Sequence, residues 1–236
     1  MVLGAKQWAM VFALSSLLLL SISAPSLLSS DPHPDTFLSP PENQRVLSDH
    51  VLLVVLDGVP RSVFDDAEVM PFLSEYEDFG VKINVRTSPL TLTGACVKEM
   101  ATGRNSAPID AILNWEVTNE IREDPFYYAA AEGQSVAFTG FYVWDNLYPE
   151  PYFTHQTSPD YGFSDISLAD EDALRNVGEW ISTPQHNLMV AHLGGSDHAA
   201  HIHGLDSEIY KERMKELDNQ LETLFKTAPD DWTILL

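Results

Sequence analysis

The chain alternates between short apolar runs and segments that have the period of a helix. Continuous apolar runs at residues 51–56 ("VLLVVL") and 187–195 ("NLMVAHLGG") predict strands buried on both faces. Three further predicted strands are "VKINVRT", "SVAFTG" and "WTILL", and helical patterns occupy residues 70–79, 94–102, 118–132, 170–181 and 206–226. Strands that alternate with helices predict an α/β fold with a mainly parallel sheet and helices on both faces.

The N-terminal segment has a different pattern. Lys6 precedes an apolar run from Trp8 to Leu20, which is typical of a secretory signal or of a retained signal-anchor. Both interpretations make the protein membrane-anchored or secreted, with the rest of the chain on the extracytoplasmic or luminal side. Residues 25–48 are rich in Pro, Ser and Asp, which indicates a linker. The predicted organisation is a signal or anchor at 1–24, a linker at 25–48 and one domain at 49–236.

Composition excludes one class of partner. The 236 residues include 35 acidic and 13 basic side chains, a net charge of -22, whereas binding to nucleic-acid phosphates requires clustered Lys and Arg. We therefore expect a solvated acidic surface and no nucleic-acid partner. Cys96 is the only cysteine, so the chain cannot form an internal disulfide.

Candidate chemistry lies where the predicted strands end, because ligands of parallel sheets bind outside the carboxyl ends of the strands. Asp57 follows the first strand and is either a functional carboxylate or a turn residue. Thr91 and Thr93 precede a helix that begins near Gly94. A hydroxyl at a helix N-terminus suits phosphate binding, although it also suits a simple N-cap.

The segment "GGSDHAAHIHG" follows the strand that contains His192, and its flanking glycines predict a loop. Asp197 and His201 lie four residues apart, so one helical turn would direct both side chains at one metal ion. His192 lies within the strand itself and is predicted to be a core histidine or one that supports the ligands. Residues 141–168 are rich in aromatic side chains and Pro. They predict an irregular lid or pocket region, or a packed aromatic cluster.

The order of these groups resembles the alkaline phosphatase superfamily. More narrowly, residues 51–236 resemble the luminal domain of GPI ethanolamine phosphate transferases and the catalytic domain of nucleotide pyrophosphatase/phosphodiesterases. Four short motifs carry the likeness, in this order: Asp57 at a strand end, Thr91-x-Thr93, Thr102-Gly103, and Asp197-His198-x-x-His201. The segment departs from the transferase pattern by one extra residue before the Asp and by an Ala at position 200 in place of a Gly.

The resemblance implies a role for each matching residue. Thr93 corresponds to the nucleophile, and Asn114 corresponds to the Asn that contacts the phosphoryl oxygens. Asp57 and Thr93 would bind one of two divalent metal ions, by analogy Zn²⁺. Asp197 and His201 would bind the other.

The implied reaction is metal-dependent phosphoryl-group transfer through a covalent phospho-Thr intermediate. Two metal ions can hold the attacking and leaving oxygens of an in-line displacement, while Asn114 would stabilise the equatorial oxygens. The implied enzyme is like an ethanolamine phosphate transferase, with a phosphodiester or phospholipid-type donor and a glycan or glycolipid acceptor. It would be tied to the membrane through its N-terminus.

Two alternatives remain open at this stage. A type I phosphodiesterase/nucleotide pyrophosphatase would give the group to water, and a non-catalytic exported domain would keep recognition alone. Sulfatases share this order of motifs, but their nucleophile is a Cys or Ser followed by Pro and Arg at fixed positions. Here the three positions are Thr93, Ala95 and Val97. The sequence therefore disfavours a sulfatase.

The resemblance also implies ligands beyond this chain. The family places an Asp-His pair after the next strand and a further His much later. "WTILL" corresponds to the opening of that strand. We therefore expect a C-terminally incomplete domain with half of each metal site, weak metal affinity and little activity.

Overall fold

The computed structural model describes residues 13–19, 21, 48–75, 80–86, 89–106, 108–112, 124–148, 151, 153–158 and 166–236. They form two compact units, Pro41–Val85 with Thr118–Leu236, and Met1–Pro40 with Arg86–Val117. The predicted linker, apart from Ser48, and most of the predicted signal or anchor lie outside the described residues.

A five-stranded sheet forms the centre of the larger unit. All its pairings are parallel, and the strand order is β3-β2-β4-β1-β5. The strands are β1 (Val51–Leu56), β2 (Val136–Phe141), β3 (Phe153–Ser158), β4 (Leu188–Leu193) and β5 (Thr233–Leu235). The predicted mainly parallel sheet is confirmed, and β1 and β4, the two apolar runs, pair with each other near its centre.

The helices follow the strands in alternation. In the smaller unit they are α1 (residues 13–19), α4 (Thr93–Thr102) and α5 (Pro108–Ile112). In the larger unit they are α2 (Arg61–Phe64), α3 (Pro71–Ser74), α6 (Pro125–Ala131), α7 (Val143–Leu147), α8 (Ile166–Ser182), α9 (Gly195–His203) and α10 (Glu208–Thr227).

The core of the larger unit lies between the sheet and its two long helices. Val177 of α8 and Leu217 of α10 are fully buried in one apolar cluster with Met189 of β4. Each such side chain contributes roughly 1.5–3 kcal/mol by leaving water. Asp218 of α10 accepts hydrogen bonds from the amides of Phe72 and Leu73 at 2.9 and 3.0 Å, which attaches α3 to α10.

Three sequence-based predictions of local structure were wrong. Residues 81–86 are not a strand, and their alternating apolar side chains are exposed, with Val81 at 85%. The region 141–168 is not wholly irregular, because it contains α7 and β3. The segment "GGSDHAAHIHG" is mostly the helix α9 rather than a loop.

The smaller unit holds the predicted helix that carries Thr93. α4 begins at Thr93 and is followed by Gly103 in the left-handed conformation, with φ 66°. Lys98 and Asp110 connect α4 to α5 by an ion pair at 2.8 Å. Among the residues that the structure describes, no helix has the length and apolar character needed to span a bilayer.

Candidate functional site

Adjacent strands bring Asp57 and Asp197 together at the carboxyl edge of the sheet. β1 and β4 pair in register up to Leu56 and Leu193, and the amide of Asp57 continues the ladder by donating to the Leu193 carbonyl at 3.0 Å. Asp197 lies in the first turn of α9, which follows β4 directly. Gly58, with φ 68°, passes so close that an added Cβ would lie 2.6 Å from Asp197 Oδ1.

The two carboxylates influence each other electrostatically. Burial, and next the nearby charge of Asp57, raise the pKa of Asp197, while His201, His198 and His192 partly oppose the shift. His201 Nε2 lies 3.5 Å from Asp197 Oδ2, as the spacing of four residues predicts. Two carboxylates in partial burial repel one another, so a bound cation would relieve the repulsion.

Two buried polar residues, His192 and Ser196, also contact Asp57. His192 of β4 is 1% exposed, and its Nε2 lies 3.4 Å from Asp57 Oδ2. The indole N–H of Trp144 donates to Nδ1 of the same imidazole at 3.2 Å. The hydroxyl of the buried Ser196 donates to the main-chain carbonyl of Asp57. His192 is therefore buried in the core and also contacts Asp57, so the two predicted alternatives for it, a core histidine and a supporting histidine, do not exclude each other.

A buried ion pair fixes the turn from β4 into α9. Asp170 of α8 accepts hydrogen bonds from the amides of Gly194 at 2.9 Å and Gly195 at 3.1 Å. Arg213 of α10 donates to the same carboxylate at 2.8 Å and to Glu216 at 2.8 Å. Sequence reasoning missed this pair, because no local pattern connects residues on two different helices.

Tyr210 is another residue that sequence reasoning did not connect with the candidate site. It lies on α10 and is fully buried. Its hydroxyl forms no hydrogen bond within the part of the chain that the structure describes. Burial, and then the charge of Asp197, raise the pKa of Tyr210. Its phenol therefore lies in the surroundings of Asp197.

The donor chemistry of this edge suits a divalent cation. Asp57, Asp197 and His201 supply carboxylate oxygens and an imidazole nitrogen, which are ligand types of zinc. Over the described ranges, no group of three or more His, Cys, Asp or Glu side chains is arranged to share one ion. The residues present therefore fit the predicted metal as a partial ligand set.

The nucleophile candidate lies in the smaller unit. Thr93 is the first residue of α4, and the preceding Leu92 provides no capping side chain. The next turn is held by hydrogen bonds from Ser106, whose hydroxyl donates to the Ala95 carbonyl at 2.9 Å. Asn114, the predicted contact to the phosphoryl oxygens, lies outside the described residues.

The aromatic segment is largely a packed cluster. Trp144 and Tyr148 are fully buried and stack on Phe138 at 5.1 and 4.9 Å between ring centroids. The Tyr148 hydroxyl donates to Asp124 at 2.5 Å, and burial raises the pKa of Tyr148 far above its ordinary range. Tyr142 is partly exposed, and burial raises its pKa as well.

The close approach at Gly58 can be tested with a matched glycine. Gly58→Ala and Gly103→Ala both place a Cβ at a positive φ, at 68° and 66°, which costs about 1–2 kcal/mol. Of these two glycines, only Gly58 has neighbours within 4 Å of the added Cβ. We therefore expect Gly58→Ala to lose roughly 1–3 kcal/mol more of the free energy of unfolding, because the Cβ would overlap Asp197. Urea unfolding of both variants measures the difference. Equal losses would contradict the close approach.

Three kinds of similarity accompany this geometry. The family model for type I phosphodiesterase / nucleotide pyrophosphatase matches residues 110–236. The human GPI ethanolamine phosphate transferase 2 catalytic subunit is 24% identical over 191 residues, covering 79% of this chain and 19% of that protein. GPI ethanolamine phosphate transferase 2 of Debaryomyces hansenii is 22% identical over 257 residues, covering 99% of this chain and 29% of that protein.

A solved structure shares the fold. Murine ectonucleotide pyrophosphatase/phosphodiesterase 5, an inactive threonine-to-alanine variant in complex with AMP, matches with a TM-score of 0.54 and 18% identity. The match covers 75% of this chain and 52% of that structure, and it confirms the predicted alkaline-phosphatase-like α/β fold. The chain spans less than a third of the length of the two transferases, 19% and 29%. Because the family model covers more than half of its residues, this chain belongs to the type I phosphodiesterase/nucleotide pyrophosphatase family.

Proposed function

We propose that this chain carries catalytic groups of a metal-dependent phosphoryl transferase that acts on ethanolamine phosphate. The observation that supports this most directly is the approach of Asp57 and Asp197 at the ends of two adjacent strands, with His201 one helical turn further on. Two carboxylates that meet at the ligand-binding edge of a parallel sheet, with an imidazole on the adjacent helix, favour a catalytic role over a purely structural one.

The relatives suggest the substrates. Several are GPI ethanolamine phosphate transferases, so the proposed donor is a phosphoethanolamine-bearing phospholipid and the proposed acceptor is a hydroxyl of a GPI-type glycolipid. Hydrolysis is the second candidate, because the family description is that of a phosphodiesterase and the murine structural relative holds AMP. Both candidates use the same first step and differ in whether an alcohol or water accepts the group.

In the proposed mechanism Thr93 is the nucleophile. Its Oγ1 forms a bond to phosphorus as the bond from phosphorus to the leaving oxygen breaks, which gives a phospho-Thr intermediate. The acceptor hydroxyl or water then attacks phosphorus and releases Thr93. The murine relative is inactive as a threonine-to-alanine variant, which supports an essential threonine in that protein. When bound, divalent ions would polarise the phosphoryl oxygens and promote deprotonation of the attacking hydroxyl.

Asp57, Asp197 and His201 are the proposed metal ligands, and zinc is the proposed metal. Asn114 is proposed to contact the phosphoryl oxygens. The proposed location is extracytoplasmic or luminal, because Lys6 and the apolar run that follows it are typical of a signal or anchor. Protease protection of a tagged protein in sealed microsomes tests the location, and digestion of the domain from the cytoplasmic side would contradict it.

Replacing Asp197 with Asn tests the proposed metal site. The raised pKa of Asp197 means that its charge destabilises the folded state as pH rises through the acid range into neutrality. At neutral pH, without metal, Asp197→Asn should therefore raise Tm slightly, by about 1–3 °C, since the side chain is partly exposed. The stabilisation that added Zn²⁺ gives the wild type should disappear.

Asp206→Asn is the matched control, because Asp206 is an exposed carboxylate just beyond α9. It should leave the response of Tm to Zn²⁺ unchanged. Turnover of a nitrophenyl phosphodiester by the intact protein, with and without a chelator, then separates an enzyme from a non-catalytic domain. Zinc-independent Tm in the wild type, together with no turnover, would contradict the proposed function.

A further inference from the structure

His192 presents its two ring nitrogens to two different partners. Its Nδ1 accepts from the indole N–H of Trp144 at 3.2 Å, and its Nε2 lies 3.4 Å from Asp57 Oδ2. An indole nitrogen can only donate, so Nδ1 must carry the lone pair and the proton of the neutral imidazole must reside on Nε2. The hydrogen-bond pattern therefore directs an N–H at the carboxylate of Asp57.

Packing holds this imidazole in place. His192 is 1% exposed and Trp144 is fully buried. The Trp144 ring is stacked on Phe138 at an interplanar angle of 15°. Gly140 passes the main chain of His192 so closely that an added Cβ would lie 2.0 Å from the His192 carbonyl oxygen. The ring therefore has little freedom to turn away from Asp57.

The contact between His192 and Asp57 is long. His192 Nε2 is buried and forms no hydrogen bond of normal geometry within the part of the chain that is described. A buried N–H without a close acceptor is a cost to the fold. The cost is understandable if the N–H serves the neighbouring carboxylate, since groups that orient metal-binding side chains commonly do so through such polar contacts.

We propose that His192 is a positioning residue for Asp57, with its tautomer set by Trp144. This inference rests on the proposed function, in which Asp57 binds a metal ion. An N–H directed at one oxygen restricts rotation of the carboxylate and offsets part of the repulsion between Asp57 and Asp197. Trp144 thus acts on Asp57 through the imidazole.

Trp144→Phe tests the inference, because it keeps an aromatic ring and removes the indole N–H. Without that donor the proton of His192 can move to Nδ1, which would turn a lone pair toward Asp57. Long-range ¹H–¹⁵N correlation spectra of the metal-free protein should show this change of tautomer. The affinity for Zn²⁺ should fall about tenfold, the lower end of the effect of losing an orienting group.

Trp180→Phe is the matched control. Trp180 is a buried tryptophan of the same unit that contacts His186, with 5.3 Å between ring centroids, rather than His192. It should lower stability without changing the tautomer of His192 or the affinity for Zn²⁺. A loss of packing would lower the stability of both variants. Only the loss of an orienting hydrogen bond would change the tautomer of His192 and the affinity for Zn²⁺, and only in Trp144→Phe.

Substitution of His192 completes the test. His192→Gln keeps an N–H donor and should retain more Zn²⁺ affinity than His192→Leu, with near-ultraviolet circular dichroism to confirm that both fold. Asp57→Asn should shift the Nε2 resonance of His192 in the metal-free protein. An unchanged resonance, or a tautomer unaffected by Trp144→Phe, would overturn the inference. If the wild type does not bind Zn²⁺, the proposed function is wrong. The ¹H–¹⁵N spectra of His192 in the metal-free protein then decide by themselves whether Trp144 sets its tautomer and its N–H faces Asp57.

Discussion

Replacing Thr93 with Ala in the intact protein should lower kcat on a phosphodiester by at least about 10³-fold, roughly 4 kcal/mol of transition-state stabilisation. The proposed reaction needs the Thr93 hydroxyl to form the bond to phosphorus, and Ala offers no atom that could replace it. Thr93 is the first residue of α4, so the main chain around the substitution stays helical. Binding of metal should largely persist, because the carboxylates and His201 remain.

Two further variants distinguish a nucleophile from a structural threonine. Thr91→Ala should reduce kcat far less, because Thr91 is exposed and precedes the helix. Thr93→Ser should recover much of the rate, since it restores a hydroxyl at the same position. Trapping a phosphorylated peptide that contains Thr93 by rapid acid quench and mass spectrometry would identify the intermediate. Near-normal turnover by Thr93→Ala would exclude Thr93 as the nucleophile.

The central strands could be predicted from sequence for a simple physical reason. In β4 every residue after Leu188 is buried, and in β1 every residue is buried or half-buried, so side chains on both faces of each strand leave water and an uninterrupted apolar run is favoured. Their pairing in register then places Asp57 beside the start of α9. The sequence alone therefore indicated that Asp57 and Asp197, each of which follows an apolar strand, lie at the same edge of the sheet.

Other features could not be read from local pattern. Residues 81–86 alternate as a strand should, but alternation supplies only a suitable face, and a strand also needs a partner to pair with. β3 was missed because "FTHQTS" is polar and lies at an edge of the described sheet. The contacts among Trp144, His192 and Asp57 arise because the fold brings together residues far apart in sequence.

The buried ion pair between Asp170 and Arg213 should give the largest loss of stability. Both side chains are almost inaccessible, at 1% and 9% exposure, and they lie 2.8 Å apart. Arg213→Met leaves the carboxylate of Asp170 buried with only the amides of Gly194 and Gly195 as partners. Removing one member of such a pair costs about 3–5 kcal/mol, which corresponds to a fall in Tm of roughly 6–20 °C.

The pH dependence of Arg213→Met distinguishes lost charge compensation from lost packing. Burial already raises the pKa of Asp170, and the Arg213 guanidinium and the two amides oppose that shift. Without Arg213 the folded-state pKa should rise further, so the folded variant holds its proton to a higher pH than the unfolded chain. Its deficit in stability should therefore be largest at neutral pH and shrink as pH falls. A pH-independent deficit would indicate packing alone.

Two controls complete this prediction. The double variant Asp170→Asn/Arg213→Met leaves neither charge buried and should recover part of the loss. Asp172→Asn removes a carboxylate of the same helix, but Asp172 and Arg175 are 49% and 61% exposed, so the change should stay within about 0.5 kcal/mol. Because Asp170 holds the amides that open α9, Arg213→Met should also weaken Zn²⁺ binding at temperatures where the protein is still folded. Unaltered Zn²⁺ affinity would show that α9 keeps its position without the ion pair.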